Sequence, residues 1–371
     1  MSSKVPPLTL PLRIAMIGSG AVSRHHFPAF RDRPGVIRLS AICEKNPQAA
    51  SAFAAQFPYP VPIFGELDDL LEKAKVDAAL VVLPHNLHFP VASKLVGEGI
   101  PVLVEKPLAC SLEEARALKR LSSETGVPVV AGQMLRFAND VIWLKEWVSK
   151  DAGNFGALRT FDIQSWQNIL AYVNSSGGLK HWLLDGKAAG GGVVVSLAVH
   201  QLDLIRFITG DDFVEATAWG RFDSPFRNGA ESCALALLKM TKGACGVLHS
   251  TYIGPRVPYC EALTMFGENG TIIQHADDIG QYRGVFQYAS ATNKPTQEWN
   301  DQHEGFQTVP KSSKHQDSNN PFTNQLVHFA EALTQGKPFH NTVFENFNTL
   351  ACIDAIYASL ESGRPCPVAK E

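Results

Sequence analysis

The sequence contains few cysteines, and none of them forms a close pair. Seven cysteines, an odd number, are scattered over 371 residues without a Cys-x-x-Cys pattern. This distribution argues against a disulfide framework and against a structural zinc site, so we predict no metal site. Scattered free thiols are typical of a reducing compartment, and we therefore expect a cytoplasmic protein.

The sequence also lacks an excess of charge of one sign. It has 33 lysines and arginines against 36 aspartates and glutamates. A near-neutral chain has no electrostatic footprint for nucleic acid or for an anionic membrane. Its first residues, MSSKVPPLTLPLRIAMIG, hold no apolar stretch long enough to span a bilayer. We therefore predict neither a nucleic-acid partner nor a membrane partner. With 371 residues, 45% of them hydrophobic, the chain is long enough for two domains with separate cores.

A glycine motif follows the first predicted strand, Leu12 to Ile17. The sequence GSGAVS places Gly18, Gly20 and Ser23 at the positions of the dinucleotide-binding fingerprint. The first glycine permits a tight turn, the second lets the backbone approach a pyrophosphate, and the third position needs a small residue. A glycine-rich turn without a ligand is the alternative interpretation. The predicted cofactor-binding loop comprises Gly18, Ser19, Gly20, Ala21, Val22 and Ser23.

An acidic residue ends the second predicted strand, Ile37 to Cys43. Glu44 can accept hydrogen bonds from the adenosine ribose hydroxyls and would repel a 2′-phosphate, so it favours NAD over NADP. It lies 26 positions after Gly18 (44 − 18), somewhat more than the usual spacing of about 20. The adjacent Lys45 keeps NADP open as the alternative cofactor, and a solvated loop acid is the other interpretation of Glu44.

The first third of the chain alternates strands with helices. Such alternation predicts a parallel sheet with helices on both faces, that is, a Rossmann domain, over residues 1–136. Ligands of these sheets bind at the carboxyl ends of the strands. We therefore expect Pro84–His88, Glu105–Lys106 and Gly132–Arg136 to lie at the same edge as the glycine turn. Lys106 would then lie near the nicotinamide end of the dinucleotide.

After Arg136 the pattern changes to strands that mostly follow one another directly. The turn signals Thr241-Lys-Gly243 and Gly267-Glu-Asn-Gly270 indicate hairpins. Residues 137–371 are therefore predicted to form an α+β domain with a largely antiparallel open sheet and helices before and after it. The polar run Lys311–Asn320 predicts a loop.

One helix of this second domain carries residues suited to catalysis. Three glycines, Gly190 to Gly192, open a stretch in which Ser196, His200 and Asp203 are spaced by four and three residues. On a regular α-helix these three side chains share one face. A histidine with a near-neutral pKa suits proton transfer, and a hydrogen-bonded core histidine is the alternative interpretation.

Several motifs together resemble the glucose–fructose oxidoreductase, inositol dehydrogenase and MocA family (Gfo/Idh/MocA). They are GSGAVS with two histidines behind it, PHNLH, VEKPLACS, GQMLRF, GGGVVVSLAVHQLD, NQLVHFAEALTQGKP and AIYASLESGRPCPV. The resemblance covers nearly the whole chain. It implies an N-terminal Rossmann domain and a C-terminal domain whose open sheet face often forms the interface of a homodimer or homotetramer. It also implies NAD(P)-dependent oxidation or reduction of a sugar, a sugar acid or a cyclitol.

The resemblance also implies roles for individual residues. Lys106 would contact the nicotinamide ribose and the substrate hydroxyl, and His200 would be the general base. Where the family usually has an aspartate, four residues before the histidine, this sequence has Ser196, which puts the usual lysine–aspartate–histidine triad in doubt. The other predicted cofactor contacts are Glu44, Lys45, Leu83, Pro84, Asn86, His88, Glu105, Lys106 and Gln133. The predicted substrate contacts are Lys106, Arg136, Trp166, Asn168, His181, Trp182, Ser196 and His200.

Three functions fit these features. The first is an NAD(P)-dependent sugar or polyol dehydrogenase. The second is a redox-neutral enzyme in which the cofactor transiently oxidises a sugar carbon and so enables elimination or epimerisation. The third is a non-catalytic sensor of sugar or dinucleotide, which the presence of both Lys106 and His200 disfavours.

Overall fold

The computed structural model describes residues 8–150, 154–176, 178–253, 259–274, 285–290, 305–310 and 318–370. The chain folds into two compact units. The first comprises Met1–Phe137 and Asn320–Phe347, and the second comprises Ala138–Asn319 and Asn348–Glu371. The first unit thus includes a segment that the sequence division assigns to the second domain. Residues 311–317 of the predicted polar loop lie outside the described residues.

Most of the helices lie where the sequence predicts them, whereas Ile169–Ser175 and Gly186–Ala189 were not predicted. The helices are α1 (Ser23–Asp32), α2 (Pro47–Ala54), α3 (Leu67–Lys73), α4 (His88–Gly97), α5 (Leu112–Thr125), α6 (Asn139–Lys150), α7 (Ile169–Ser175), α8 (Gly186–Ala189), α9 (Val199–Thr209), α10 (Pro321–Gln335) and α11 (Val343–Ser362). Local chemistry sets several ends: the Ser111 hydroxyl caps α5 by accepting from the N–H of Glu114, and Gly126 ends it in the left-handed conformation.

The first unit contains a six-stranded parallel sheet. Its strands are β1 (Leu12–Ile17), β2 (Ile37–Cys43), β3 (Ile63–Phe64), β4 (Ala78–Val81), β5 (Val102–Glu105) and β6 (Val129–Gly132). They lie in the order β3-β2-β1-β4-β5-β6, which is that of the Rossmann fold. Strands β4, β5 and β6 are buried along their whole length, as expected of a sheet covered on both faces. The predicted Rossmann domain is confirmed.

The second unit contains a nine-stranded sheet. Its strands are β7 (Leu158–Trp166), β8 (Phe213–Arg221), β9 (Cys233–Met240), β10 (Cys245–Thr251), β11 (Cys260–Gly267), β12 (Gly270–Gln274), β13 (Phe286–Ser290), β14 (Gln307–Thr308) and β15 (Cys366–Pro367). Their order is β14-β13-β12-β11-β7-β10-β9-β8-β15. Among the described strands of this nine-stranded sheet, only β7 and β10 pair in parallel. Both predicted hairpins form. The predicted largely antiparallel sheet is therefore confirmed.

One face of this sheet is apolar and exposed. Along β9, Leu235 and Leu237 are each 53% exposed, whereas the alternate residues are buried. Trp219 of β8 lies opposite Leu235, and Val247 of β10 lies opposite Leu237. We call these four residues the outer sheet face. The other face packs against helices of the same unit, where α9 contacts β7 and β11.

The segment Gly186–Thr209 is long and apolar enough to cross a membrane, but 89% of its most apolar stretch is buried inside the protein. It is therefore placed like the core helix of a globular domain. Within it, Val194–Ala198 forms a π-helical turn, and α9 begins only at Val199. The sequence pattern predicts one continuous α-helix from Val195, and that prediction is wrong over this first turn.

Candidate active site

The glycine turn between β1 and α1 has the geometry of a dinucleotide-binding loop. Gly18 has a φ of 92°, and its N–H donates to the carbonyl of Cys43 over 2.8 Å. A Cβ at this position would lie 2.1 Å from the Val82 carbonyl oxygen, so only glycine fits. A Cβ on Gly20 would meet nothing within 4 Å, which leaves open space beside that backbone. Ser23 is buried, and its hydroxyl donates to the Gly20 carbonyl over 2.7 Å.

Glu44 is held against this turn. One carboxylate oxygen accepts from the backbone N–H of Ser19 at 2.8 Å and from its hydroxyl at 3.2 Å, while the other accepts from the N–H of Asn46 at 2.9 Å. The Lys45 ammonium lies 3.9 Å from Glu66 on a side chain that is 83% exposed. The negative charge of Glu44 is thus fixed beside the loop, whereas the positive charge of Lys45 is directed to another acid.

The loop after β4 begins at Leu83 and Pro84, which are half-buried, and its Asn86 is exposed. His88 differs from them because it is fully buried at the start of α4. Its ring nitrogens lie 2.7 Å from the Pro107 carbonyl oxygen and 2.8 Å from that of Leu83. Burial lowers the pKa of His88, against the effect of these two carbonyls. His88 therefore ties the loop to the backbone that follows Lys106 instead of presenting its ring to a ligand.

A buried hydrogen-bonded pair, Glu105 and His26, supports the backbone of Lys106. Glu105, the last residue of β5, accepts from His26 of α1 over 2.7 Å, and its other oxygen accepts from the backbone N–H of Lys106 over 3.2 Å. Burial would raise the pKa of Glu105, but the hydrogen bond from His26 and the charges of His26 and Lys106 outweigh it and lower that pKa. Phe322 of α10 packs edge-on to the His26 ring at 5.0 Å.

This pair changes the predicted role of Glu105. Glu105 accepts a hydrogen bond from the backbone N–H of Lys106, and its other carboxylate oxygen contacts His26. Sequence reasoning assigned His26 no role beyond its place in a motif. The signal that could have identified it is a polar residue on the sheet-facing side of α1 close to the strand that ends in Glu105.

Two further predicted residues follow β6. Gln133 is 1% exposed, and its side-chain amide has no hydrogen-bond partner among the described residues. Arg136 is 6% exposed, with Nη1 3.9 Å from a carboxylate oxygen of Glu345. The residues predicted to share one edge therefore do so: Gly18, Glu44, Pro84, Lys106 and Gln133 each follow the carboxyl end of a strand in one parallel sheet.

In the second unit, Ser196 lies in the π-helical turn, and Tyr252 is its neighbour. Tyr252 is 2% exposed. Burial raises the pKa of Tyr252 well above its ordinary value, so the phenol stays neutral at physiological pH. At the position where the family resemblance implies a carboxylate, this chain therefore has a neutral hydroxyl group beside the neutral phenol of Tyr252.

His200 and Asp203 both lie buried in α9. The carboxylate of Asp203 accepts from the Thr349 hydroxyl over 3.0 Å, and Nη1 of Arg206 lies 3.9 Å from the same oxygen. Arg206 in turn donates to Thr349 and to Asp212. Asp203 is thus engaged in a structural network, which makes it a poor substitute for the missing aspartate.

A buried glutamate lies at the start of the glycine-opened segment. The carboxylate of Glu231 accepts from the N–H of Gly192 at 2.7 Å and of Val194 at 2.8 Å, and the Tyr357 hydroxyl donates to it over 3.1 Å. Burial raises the pKa of Glu231 to about 7, and these donors oppose that rise. Sequence reasoning predicted no role for Glu231, because no local pattern links it to residues 39 positions away.

The remaining predicted substrate contacts all lie in the second unit. Trp166 ends β7 and packs against His249 at 5.4 Å, and its ring N–H has no hydrogen-bond partner among the described residues. Asn168 caps α7 by accepting from the N–H of Ala171. His181 stacks on Trp182 at 5.7 Å, and burial lowers the pKa of His181. In the described part of the chain, no group of three or more His, Cys, Asp or Glu side chains could hold a metal ion.

A parallel sheet in this strand order, with a glycine turn after β1 and an acid after β2, is typical of dinucleotide-binding Rossmann domains. Residues 12–133 match the model of the oxidoreductase family with an NAD-binding Rossmann fold. Residues 141–273 match the GFO/IDH/MocA C-terminal domain. The chain belongs to the Gfo/Idh/MocA family, as its motifs indicate, and its cofactor domain is an NAD-binding domain.

Relatives of the chain are dehydrogenases by name. One relative is the 1-carboxy-3-chloro-3,4-dihydroxycyclo hexa-1,5-diene dehydrogenase of Comamonas testosteroni. The two sequences are 29% identical over 244 residues, which cover 65% of this chain and 58% of the relative. Over 235 residues this chain is 25% identical to an inositol 2-dehydrogenase of Corynebacterium glutamicum, over 62% of this chain and 64% of that one. The chain thus spans less than two thirds of the length of these two curated relatives. A solved levoglucosan dehydrogenase, in complex with NADH and levoglucosan, has the same fold: the TM-score is 0.82 at 19% identity, over 97% of this chain and 100% of that one.

Proposed function

We propose that the protein is a dehydrogenase or reductase that uses NAD on a carbinol or carbonyl carbon of a sugar, a sugar derivative or a cyclitol. The observation that carries the proposal is the anchoring of Lys106. This lysine follows β5 at the same sheet edge as the glycine turn and Glu44, and the buried Glu105–His26 pair holds its backbone. The named activities of relatives, such as inositol 2-dehydrogenase, support the substrate class.

The cofactor would be held by the glycine turn, whose backbone leaves open space at Gly20, and by Glu44 beside it. When bound, NAD accepts or donates the hydride. The fixed charge of Glu44 favours NAD over NADP, because a carboxylate repels a 2′-phosphate. The buried amide of Gln133 is a further polar group suited to a cofactor or substrate contact.

We assign Lys106 and His200 different roles at the substrate hydroxyl group. Oxidation of a carbinol carbon requires that its hydroxyl proton be removed, and we assign that proton to His200. The Lys106 ammonium would stabilise the alkoxide charge that develops on the oxygen. Ser196 would serve as a neutral hydrogen-bonding group. Arg136, Trp166, Asn168, His181 and Trp182 stay predicted substrate contacts, with Asn168 also capping a helix.

The setting of the enzyme is also part of this proposal. The outer sheet face, with Trp219, Leu235 and Leu237 more than half exposed, suits the interface of a homodimer or homotetramer. The scattered free thiols suit the cytoplasm.

Incubation of the pure protein with NAD and a panel of sugars, sugar acids and cyclitols tests the function. Net NADH formation, or NADH consumption with the corresponding ketones, is the expected result. An altered sugar without net NADH would instead identify the redox-neutral enzyme. Binding of NAD and sugar without any turnover would identify a sensor and overturn the proposal.

A further inference from the structure

We infer that Glu231 and Tyr357 are positioning residues that hold the start of the segment on which Ser196 and His200 lie. The inference rests on the proposed function, because it depends on the proton-transfer role of His200. Glu231 and Tyr357 both belong to the second unit, as do Ser196 and His200. No sequence motif assigns either of them a role in the site.

Four consecutive backbone N–H groups, those of residues 192–195, bind these two residues. The amides of residues 192 and 194 donate to the two carboxylate oxygens of Glu231 over 2.7 Å and 2.8 Å. The amide of residue 193 donates to the main-chain carbonyl of Glu231 over 3.2 Å, and that of residue 195 donates to the Tyr357 hydroxyl over 3.3 Å. The first N–H groups of a helix have no partner within it, so Glu231 and Tyr357 supply the whole N-terminal cap. A carboxylate there is also favoured by the helix dipole.

The glycines that open the segment make this approach feasible. A Cβ on Gly191, whose φ is 141°, would lie 2.0 Å from the Tyr357 hydroxyl oxygen. A Cβ on Gly192 would lie 2.0 Å from the Glu231 carbonyl oxygen. The glycine run thus leaves room for the two capping residues. This requirement accounts for glycine at positions 191 and 192.

The capped amides lead directly into the π-helical turn Val194–Ala198, which carries Ser196, and then into α9, which carries His200. Such turns are rare and are frequent at functional sites. The turn rotates the residues before it relative to those after it, so its geometry sets the direction of Ser196 relative to His200. A segment released from Glu231 and Tyr357 would relax towards regular α-helix, and both side chains would move.

Tyr357→Phe and Glu231→Gln test the inference by kinetics. Each removes part of the cap and leaves the remaining hydrogen bonds. We expect kcat to fall about tenfold or more, because small displacements of catalytic groups are costly. The Kd of NAD should stay unchanged, since the cofactor loop belongs to the other unit. Tyr288→Phe and Glu361→Gln are matched controls and should retain wild-type kcat. Variants with wild-type kcat and an unchanged pH profile would overturn the inference.

A second measurement makes the result independent of turnover. Hydrogen exchange of the amides of residues 192–195, and the NMR signals of the His200 ring, are compared in wild type, Tyr357→Phe and Tyr288→Phe. Faster exchange and shifted His200 signals in Tyr357→Phe alone would support positioning. Unchanged His200 signals would overturn it. If the wild type oxidises no polyol while these shifts occur, the proposed function fails and the positioning of His200 by the cap still stands.

Discussion

Lys106 is a charged residue that directly follows the buried strand β5. Its backbone N–H donates to Glu105, and Glu105 is paired with His26 in the interior. Burial of the pair costs desolvation, which the hydrogen bonds of Glu105 with His26 and with the Lys106 backbone partly offset. The lysine is thereby fixed at the sheet edge where its ammonium can act on a developing negative charge.

Replacement of Lys106 by alanine removes that charge. We expect Lys106→Ala to lower kcat by roughly a hundredfold or more, since an electrostatic stabiliser of the transition state is lost. The Kd of NAD, measured by fluorescence titration, should change little. Lys73→Ala, which removes an exposed lysine of α3, is the matched control. Near-normal turnover by Lys106→Ala would remove Lys106 from the mechanism.

The proposed role of Glu44 is to favour NAD over NADP through its single negative charge. Glu44→Ser should narrow the preference for NAD over NADP by about tenfold, because repulsion of the 2′-phosphate is relieved. Titration of both cofactors into wild type and variant measures the ratio, with Glu72→Ser of α3 as control. Tighter binding of NADP than of NAD by the wild type would contradict this role of Glu44.

At the scale of elements, the candidate site includes a π-helical turn and a hydrogen-bonded pair between a helix and a strand. The π-helical turn holds Ser196 beside Tyr252, at the position where the family resemblance implies a carboxylate. The Glu105–His26 pair joins α1 to β5 under the Lys106 backbone. Both features can be tested by their dependence on pH.

Ser196→Asp introduces a negative charge four residues before His200. A carboxylate favours the protonated form of a nearby imidazole, so the acid limb of the kcat/KM profile should move to higher pH by about one unit. Ser149→Asp, at an exposed position of α6, should leave the limb in place. If His200→Ala keeps full activity and the same limb as wild type, His200 is a core histidine and the base is another residue.

The Glu105–His26 pair should contribute to stability in a pH-dependent manner. Because the pKa of Glu105 is lowered in the folded state, its contribution is present above the ordinary value of 4.5 and is lost as pH falls below it. Glu105→Gln should therefore lower stability by about 3 kcal/mol at neutral pH and less at pH 3. Urea unfolding at both pH values measures this, with the exposed Glu113→Gln as control. An equal loss at both pH values would show that Glu105 is not ionised in the fold.

At the scale of the whole molecule, the outer sheet face is the feature that the fold leaves open. Its apolar residues lie side by side on neighbouring strands, and such patches on soluble proteins mark interaction sites. A second copy of the chain is the partner that the family resemblance implies.

Introduction of a charge into this face should disrupt the assembly. We expect the wild type to form a dimer or tetramer, and Leu237→Glu to form a smaller species, because burial of a carboxylate in an apolar interface is costly. Light scattering after size-exclusion chromatography measures the mass. Leu179→Glu is the control, since Leu179 is 58% exposed and lies outside the sheet. A monomeric wild type at all concentrations would refute the predicted oligomer.

Features that depend on neighbours along the chain can be predicted from the sequence. The alternation of strands and helices predicts the parallel sheet, and Gly18 follows from the tight turn after β1. Several bounds, such as Leu112–Thr125, are fixed by a serine cap and a terminal glycine. The strand β13 and the two-residue strands β3, β14 and β15 were not predicted. The two-residue strands are too short to show a period and form only by pairing with an existing sheet.

Contacts between polar groups that are distant along the chain follow from the folded structure alone. His26 and Glu105 are 79 residues apart, and Tyr357 and Gly192 are 165 apart. The sequence also predicts a regular helix through Ser196, whereas the structure has a π-helical turn that is capped by distant residues. Asp203 likewise accepts a hydrogen bond from the distant Thr349. Local patterns constrain only residues within a few positions of each other. Buried polar groups must find partners wherever the folded chain brings them, so these contacts follow from the packing of the whole domain.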